Sequence, residues 1–555
     1  MKNLQQYLLI LLVLPMFIGC TEMEQKPNVL FIAVDDMADW ATYLDGHPDA
    51  ITPNMDRLAN QGIYFTNAHC VSPICGPSRA SILTGMRPET TGVYTNKGTY
   101  IDYVPDAVSL PRYFRNNDYH VMGAGKINHA LGMVVEDNWD EYGPDCGIVG
   151  SPFTSEELLS EGMDPTRVVS RLNCTLPMNG GLSLIDRPTM TYNSFDWGPL
   201  DIDDIGMPDG EIAEWAVNKL EQDMDKPFFL AVGFYKPHQP FFAPRKYFDM
   251  YDVEKINLPL TLEGDLDDVP QPGIDFAHAA WSAGTHKTVV EHGKWHEGVL
   301  AYLATITFAD AQVGKVLEAL DRSPHADNTW IILWSDHGWS LGQKEHWGKH
   351  EPWQASVKVP FIIVPPKNYS GDELRRGSPC PAPVSLLDIY PTLIDICGLP
   401  AKENLEGESL IPLVKSPDSE WNEAVVTSVG RGSHSVFTKE WRYIHYYDDS
   451  EELYNLETDP EEWENLAVDP QYDQIKQDLA SHIPLDGNYR QFVRWGKWKA
   501  TIPVSGDIEL FDIHETFGIA EQNNVAEANP EIVQSIIEYL EKNNLTQRHV
   551  LIPEI

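Results

Sequence analysis

The sequence predicts an α/β fold: a large layered domain with a mostly parallel central sheet flanked by helices, plus a smaller C-terminal domain with an antiparallel sheet. Through the first 400 residues, apolar runs of strand length alternate with amphipathic helical stretches. From about residue 420, strand-like segments such as HSVFTKEWRYIHYY predominate. A chain of 555 residues accommodates two domains, which we place at 28–415 and 416–555.

The elements of the larger domain follow in order. Residues 28–36, NVLFIAVDD, form a near-continuous apolar run that is typical of a buried parallel strand. TPNMDRLANQG predicts a helix that stops at glycine, and IYFTNAHC predicts a short strand. DGEIAEWAVNKLEQ predicts an amphipathic helix starting near Asp209, and KPFFLAVGFYKPH a buried strand. A long helix, a strand and a helix closed by Gly-Leu-Pro are then expected at GVLAYLATITFADAQVGKVLEALDR, NTWIILWSDHG and SLLDIYPTLIDICGLP.

Polar side chains follow three of these strands at the point where each strand ends. They are Asp35–Asp36, Lys236–His238 and Asp336–His337. Such residues often only begin a loop. Because ligands gather at the carboxyl ends of parallel strands, however, three such endings favour a functional site at this edge of the sheet.

The segment VSPICGPSRASILTG, residues 71–85, places Cys75 between two prolines that exclude it from a regular strand. We expect Ser78 to cap a helix over residues 80–83 that ends at Gly85. Cys75 would then lie at a helix N-terminus, where the helix dipole favours negative charge. The alternative interpretation is an ordinary buried core cysteine.

The smaller domain contains two similar stretches. Trp441 precedes ELYNLETDPEEWENLA at the same spacing at which Trp498 precedes ELFDIHETFGIAEQNNVA. These stretches are either two strand-turn units of one antiparallel sheet or a coincidence, since two copies fall short of a repeat array.

The N-terminus predicts export. Residues 1–19 hold a lysine and a short apolar run, and Gly-Cys follows, which resembles a bacterial lipoprotein signal with lipidation at Cys20. Residues 20–27 would form a tether, and the protein would lie in the periplasm or at the outer membrane or cell surface. An ordinary secretory signal with an incidental cysteine is the alternative.

Charge limits the possible partners. The chain carries 40 basic and 83 acidic residues, a net charge of -43, which excludes nucleic acid as a partner and requires a local basic pocket for any anionic substrate. The N-terminal signal leads us to expect membrane attachment only through the lipid anchor. Six cysteines follow Cys20 with no zinc-type spacing, and their spacing assigns no disulfide.

The motif at Cys75, C-x-P-S-R followed by A-x-x-x-T-G, resembles the signature of the type I (formylglycine-dependent) sulfatases of the alkaline-phosphatase superfamily. VDDM, GAGKINH, GFYKPHQPF, SDHGWSLG and ELYNLETDPEE resemble further motifs of that family, in family order. The details GKxxH, KPHxPF and SDHGWxLG are most similar to iduronate-2-sulfatase-like members. The resemblance covers nearly the whole mature chain and implies the sulfatase fold.

The resemblance implies that a maturation enzyme acts on the unfolded chain and oxidises Cys75 to formylglycine (3-oxoalanine). The hydrated aldehyde has two hydroxyl groups, of which one can attack sulfur and the other can drive release of sulfate. This divides one difficult displacement into two easier steps.

The resemblance also implies roles for residues near the strand ends. A divalent cation, Ca²⁺ or alternatively Mg²⁺, would be held by the residue at position 75 and four others. His337 departs from the asparagine that is common in the wider family but matches the iduronate-type pattern. The other metal ligands are Asp35, Asp36 and Asp336. Arg79 and Lys126 would orient the formylglycine, His129 would act as the base, and His238 would contact the ester oxygen as an acid. Lys236 and Lys349 would bind sulfate, and Lys344 and His350 are alternatives to Lys349.

The implied activity is hydrolysis of sulfate esters on a sulfated polysaccharide or oligosaccharide, including uronate-containing ones such as ulvan or a glycosaminoglycan. Two alternatives stay open. The first is a phosphodiesterase or phosphonate monoester hydrolase of the same superfamily. The second is a catalytically inactive glycan-binding lipoprotein.

Overall fold

The computed structural model describes fourteen stretches of the chain, given at the end of this paragraph. The predicted signal peptide at 1–19 and the lipidation site Cys20 lie outside them. Within the described stretches, no helix has the length and apolar character needed to cross a membrane. The described residues are 26–97, 99–129, 138–145, 150–153, 167–169, 172–182, 195–279, 284–369, 374–421, 424–484, 489–504, 506–512, 524–545 and 549–552.

A twisted sheet of eight strands forms the centre of the larger domain, in the order β8-β2-β7-β6-β1-β5-β3-β4. Neighbouring strands are parallel except where β7 pairs with β6 and with β2, so the predicted mostly parallel sheet is confirmed with one antiparallel insertion. The strands are β1 (Asn28–Asp35), β2 (Ile63–Phe65), β3 (His120–Gly125), β4 (Glu141–Tyr142), β5 (Phe228–Pro237), β6 (Thr329–Ser335), β7 (Phe361–Val364) and β8 (Ser378–Cys380).

Helices cover both faces of this sheet. The longer helices are α1 (Pro53–Gln61), α2 (Cys75–Thr84), α3 (Leu110–Asn116), α4 (Pro208–Leu220), α5 (Trp295–Arg322) and α6 (Ile389–Ile396). Shorter helices span Pro88–Thr91, Tyr100–Tyr103, Arg245–Phe248, Gln271–Ala277, His286–Glu291, Gln354–Val357 and Ile411–Lys415.

Strand β1 shows how the core is divided. Its alternate side chains Leu30, Ile32 and Val34 pack with α1, α4 and α5, whereas Phe31 and Ala33 pack with α2, α3 and α6. All of them are fully buried, as a strand between two helical layers requires.

Helix α2 begins earlier than predicted. Ile74 is its extended N-cap residue and Cys75 is the first helical residue, so Ser78 lies inside the first turn instead of capping it. The Ser78 hydroxyl donates to the Asp336 carbonyl oxygen at 2.6 Å. This tertiary contact replaces the capping role that local sequence favours, and the predicted end at Gly85 is confirmed.

The C-terminal region contains two four-stranded sheets, not the single sheet considered from the sequence. The first is antiparallel throughout, in the order β9-β10-β11-β12, and the second has the order β15-β14-β13-β16 with β16 parallel to β13. One helix accompanies each sheet. The elements are β9 (Val425–Gly430), β10 (Ser433–Phe437), β11 (Trp441–His445), β12 (Glu451–Asn455), α7 (Asp473–Ala480), β13 (Tyr489–Trp495), β14 (Trp498–Pro503), β15 (Glu509–Asp512), α8 (Pro530–Lys542) and β16 (His549–Ile552).

Candidate active site

The carboxyl ends of β1 and β6 bring two of the predicted polar pairs together. The two strands are parallel neighbours with Val34 opposite Ser335, so the residues that follow each strand emerge at the same level. The Asp36 backbone N–H donates to Asp336 Oδ1 at 3.0 Å. Asp36 has a positive φ of 59°, which turns the chain sharply away from the sheet at this point.

Cys75 lies directly over this edge, at the N-terminus of α2. Its Sγ is 3.0 Å from Lys349 Nζ, 3.2 Å from His337 Nε2 and 3.6 Å from Lys126 Nζ. Burial disfavours a thiolate, but these positive neighbours outweigh it and hold the pKa of Cys75 well below its usual range. The site is therefore built to stabilise negative charge on residue 75.

Arg79, one turn further along α2, connects the two pairs of strand-end residues. Its Nε donates to Asp336 Oδ2 at 2.8 Å, and a terminal nitrogen donates to Asp35 Oδ1 at 2.9 Å. Its other terminal nitrogen donates to the carbonyl oxygens of Lys126 and Ile127. The guanidinium group thus holds the two carboxylates in place. The role of Arg79 in orienting residue 75 stays a prediction.

The predicted metal ligands fall into two overlapping groups that share Asp36 and Cys75, and either group could hold a cation. In each group, all the ligand atoms lie within 4.8 Å of one another. Burial raises the pKa of Asp36 to about 8, so this carboxyl group needs a strong positive partner to stay ionised. His337 Nδ1 lies 3.0 Å from the Gly338 carbonyl oxygen, which leaves Nε2 facing the carboxylates as a ligand. The groups are Asp35, Asp36, Cys75 and His238, and Asp36, Cys75, Asp336 and His337.

Both predicted histidines lie near residue 75. A ring nitrogen of His238 is within 4.8 Å of the Cys75 Sγ, and His129 helps to lower the pKa of Cys75. Nδ1 of His129 is buried and, among the described residues, has no hydrogen-bond partner. Burial, with Lys349 and Lys126 nearby, lowers the pKa of His238 to about 3, so His238 is neutral in this state.

The two lysines predicted to bind sulfate differ in their surroundings. Lys349 Nζ lies 2.8 Å from Asp36 Oδ1 and in contact with Cys75. Lys236 Nζ instead donates to the carbonyl oxygens of His238 and Pro240, at 3.1 and 2.6 Å. These contacts hold the loop that carries His238, and a role of Lys236 toward sulfate stays a prediction.

Lys344 and His350, the two alternatives to Lys349, differ from it in their surroundings. Lys344 Nζ is paired with Asp265 at 2.6 Å and also donates to the Glu462 carbonyl oxygen, so it points away from the thiol. His350 is buried, and its pKa is lowered well below its usual range by burial and by Lys349. The contacts of this segment therefore favour Lys349 as the residue that faces Cys75.

The Sulfatase family model matches residues 27–399. The chain belongs to the sulfatase family. A second model, described as the C-terminal region of N-sulphoglucosamine sulphohydrolase, matches residues 342–486 of this sulfatase. These matches confirm the resemblance to type I sulfatases and identify the protein as a sulfuric ester hydrolase.

Individual relatives agree with this assignment. The sulfatase is 37% identical to a sulfatase of Formosa agariphila, over 80% of this chain and 83% of that protein. It is 29% identical to the iduronate 2-sulfatase of Mus musculus, over 67% of this chain and 69% of that protein. It is 28% identical to the ulvan-active sulfatase of Formosa agariphila, over 82% of this chain and 80% of that protein. A solved structure in complex with D-glucosamine-2-N,6-O-disulfate has a TM-score of 0.61 at 20% identity and covers 82% of this chain and 96% of that one, which confirms the fold.

Several residues that shape the site of this sulfatase were not predicted from its sequence. Tyr302, in the third turn of α5, donates its hydroxyl to the Asp36 carbonyl oxygen at 2.8 Å and accepts the Ala38 N–H at 2.9 Å. Asn96 Oδ1 accepts the N–H of Gly76 at 2.8 Å, beside the nucleophile position. Neither residue carries a local signal, because one lies in an apolar helix and the other in a polar loop.

The C-terminal region fixes the segment that carries Lys349. Arg442 donates to the Pro352 carbonyl oxygen at 2.8 Å and forms a buried ion pair with Glu462. Glu462 Oε2 in turn accepts the Gln354 N–H at 3.0 Å. Lys349 is thus placed over Cys75 by a buried polar network that spans the two domains of the sulfatase.

Proposed function

We propose that this sulfatase removes sulfate groups from a sulfated, uronate-containing glycan, such as ulvan or a glycosaminoglycan, with formylglycine at position 75. The observation that carries the proposal is the Cys75 position, at a helix N-terminus and within 3.6 Å of two ammonium groups. The names of the relatives, one ulvan-active and one an iduronate 2-sulfatase, support an acidic sugar as the substrate.

Formylglycine would supply a hydrated aldehyde, which is a nucleophile with two hydroxyl groups, whereas serine has one hydroxyl group and cysteine has a single thiol. Lys126 and Lys349 neutralise charge on residue 75 and on the sulfate oxygens that approach it. Because both lysines are also paired with aspartates, their positions are set before substrate binds.

Proton transfers fall to the two histidines. His238 Nδ1 lies 2.5 Å from the Gln239 carbonyl oxygen, so the N–H is at Nδ1 and Nε2 is unprotonated. This neutral ring can take a hydroxyl proton from residue 75 and pass it to the sugar oxygen as the S–O bond breaks. His129 takes the proton of the second hydroxyl as sulfate is released.

A divalent cation fits the chemistry of the two overlapping donor groups, in which carboxylates and imidazoles surround residue 75. Asp35, Asp36, Asp336 and His337 would hold it, and it would lower the pKa of the nucleophile and shield the sulfate oxygens. The carboxylate-rich set supports a hard cation, Ca²⁺ with Mg²⁺ as the alternative.

For the whole chain, we propose an exported lipoprotein with a signal peptide at 1–19, lipidation at Cys20, a tether at 20–27, a catalytic domain at 28–415 and a C-terminal subdomain at 416–555. Its partners are the glycan and the maturation enzyme. Membrane extraction of cells that express the wild type and Cys20→Ala tests the anchor, since only the wild type should partition with membranes.

Mass spectrometry of the tryptic peptide that contains Cys75 tests the nucleophile. Protein from a maturation-competent host should yield a peptide about 18 Da lighter than the thiol form. Cys75→Ala should abolish turnover, and Cys75→Ser should be nearly inactive because serine lacks the second hydroxyl. Full activity of protein that retains the thiol contradicts the mechanism.

A panel of defined sulfated oligosaccharides, analysed by product mass, tests the substrate. We expect loss of one sulfate from a uronate-containing oligosaccharide and little turnover of aryl phosphates and phosphonates compared with aryl sulfates. Preferred turnover of a phosphate diester or phosphonate would instead support the alternative within the superfamily.

A further inference from the structure

The C-terminal region contains the same structural unit twice. We call residues 433–480 the first copy and residues 489–542 the second copy. In the hairpin β10–β11, Phe437 pairs with Arg442, and in the hairpin β13–β14, Arg494 pairs with Lys499. In the next strand pair, Tyr443 lies opposite Leu453, and Ala500 lies opposite Leu510 in the second copy. The registers of three strands thus coincide.

In each copy, an asparagine side chain accepts hydrogen bonds from two backbone N–H groups at equivalent positions. Asn465 Oδ1 accepts the N–H groups of Leu453 and Ala467, at 3.1 and 3.0 Å. Asn524 Oδ1 accepts the corresponding N–H groups of Leu510 and Ala526, also at 3.1 and 3.0 Å. A helix follows in both copies, α7 and α8. The spacing seen in the sequence therefore reflects a duplicated unit, and the second copy begins after the matched C-terminal family region ends at residue 486.

The two copies use the same strand position for docking. Arg442 of the first copy donates to the Pro352 carbonyl oxygen of the catalytic domain at 2.8 Å. Lys499, its counterpart in the second copy, donates to the Arg431 carbonyl oxygen of the first sheet at 2.8 Å. Each copy thus docks onto the part of the chain that precedes it, as units of repeat proteins do.

Arg431 lies between the second copy and the catalytic domain. Its guanidinium group lies 5.0 Å from the centre of the Tyr94 ring, and a terminal nitrogen lies 3.7 Å from Glu509 Oε2. The Phe511 ring is 6.0 Å away on the side of the second copy. With Lys499 on its carbonyl oxygen, Arg431 is held by the second copy through both its backbone and its side chain.

Residues 94–96, on which Arg431 packs, contact the first turn of the helix that carries the nucleophile. Two residues after Tyr94, Asn96 accepts the Gly76 N–H at 2.8 Å, in the first turn of α2. A Cβ atom on Gly76 would lie 2.8 Å from Asn96 Oδ1 and 2.9 Å from the Thr95 carbonyl oxygen. The segment 94–96 therefore packs tightly on the residue that follows Cys75.

We propose that the second copy is a brace for the active site. By fixing Arg431 on Tyr94, it holds Asn96 against the first turn of α2 and so orients residue 75 for catalysis. Arg431 and Asn96 are positioning residues in this scheme, since Asn96 touches the backbone beside the nucleophile and Arg431 acts through it. The catalytic part of the inference rests on the proposed function of Cys75.

Hydrogen exchange of the full-length protein tests the structural part without turnover. In Arg431→Ala and in the milder Glu509→Gln, deuterium uptake of the peptide that covers residues 93–97 should rise several-fold, while uptake of α5 peptides stays unchanged. Lys497→Ala is the matched control, because Lys497 pairs with Asp512 and lies over Trp498 in the same copy. Unchanged uptake at 93–97 in both variants overturns the brace.

A double-mutant cycle with a small aryl sulfate tests the catalytic part. Arg431→Ala should lower kcat/KM about tenfold, mainly through kcat, and should add no further loss in an Asn96→Ala background. Arg431→Lys, which keeps a cation over the ring, should recover part of the rate. If the losses of kcat/KM in Arg431→Ala and Asn96→Ala multiply in the double variant, the positioning role is overturned. Failure of the wild type to turn over any sulfate ester, with the exchange response intact, refutes the proposed function and not the brace.

Discussion

Asp36 is surrounded by groups that suit it as a metal ligand. Removal of its charge by Asp36→Asn should weaken Ca²⁺ binding and lower Ca²⁺-dependent activity by about 100-fold. The variant loses a negatively charged ligand and also disturbs the neighbouring groups that hold the ligand in place. Calorimetric Ca²⁺ titration and recovery of activity after chelation measure both effects. Asp118→Asn, at a surface ion pair with Lys226, is the control. Full rate of chelator-treated, metal-free protein would refute the ligand assignment.

His286 gives the molecule a measurable sensitivity to acid. Burial against Trp295 and Trp347 lowers its pKa from 6.5 to about 4. The unfolded chain therefore takes up a proton near pH 6.5, whereas the folded chain does so only near pH 4. The stability that this neutral ring contributes is present above pH 6.5 and is lost as pH falls toward 4, by about 2 kcal/mol at pH 5.

His286→Phe should reduce that loss. The difference in Tm between pH 7.5 and pH 5 should be smaller in the variant than in the wild type, since phenylalanine does not titrate. An equal Tm difference in wild type and His286→Phe would mean that His286 is protonated in the fold.

Individual residues differ in how far the sequence reveals them. Asp35, Asp36 and Asp336 were identifiable because they end apolar strands, and the sheet then brings strand ends together. Tyr302 was not, because its hydroxyl becomes a donor to Asp36 only when α5 packs on β1. The bonds of Lys236 to loop carbonyl oxygens likewise depend on a turn whose geometry no spacing encodes.

At the scale of elements, local rules failed where tertiary contacts compete. Serine before a helical run favours a cap, yet α2 starts at Cys75 because Ser78 bonds across to the end of β6. The antiparallel strand β7 was not anticipated either, because strand direction depends on the connection rather than on apolar pattern. The alternation of strands and helices, in contrast, was enough to predict the layers.

The duplicated asparagines allow a comparison of two equivalent elements. Asn465→Ala and Asn524→Ala each leave two backbone N–H groups without their acceptor, which costs about 1–3 kcal/mol. We expect Asn465→Ala to be the more damaging, because its amide also donates to the Asp268 carbonyl oxygen. Denaturant unfolding measures both. A larger loss for Asn524→Ala would contradict this order.

For the whole molecule, the net charge of -43 sets how a polyanion reaches the site. Arg79, Lys126 and Lys349 are balanced by three aspartates, so a divalent cation held as we propose would supply the excess positive charge in the pocket. The negative surface acts at long range, and salt screens it beyond ~8 Å at physiological ionic strength.

Raising salt from very low levels should therefore increase kcat/KM for a sulfated oligosaccharide before high salt weakens the contacts to sulfate. A small aryl glycoside whose single sulfate is its only charged group should show a smaller rise. A steady fall from the lowest salt would contradict this view and would indicate a basic tract around the entrance.

The complete burial of Cys75 limits when its side chain is accessible to another protein. Lys349, which covers the thiol, lies 274 residues further along the chain. At roughly 5–20 residues per second, the ribosome needs roughly 14 to 55 s to synthesise that interval. A maturation enzyme that acts on the unfolded chain, as we propose, would therefore have a limited period in which to work, and that period would end when the distant half of the protein folds. A chain that missed this period would stay an unmodified thiol protein, so the fraction of active enzyme would depend on the relative speeds of synthesis, export and modification.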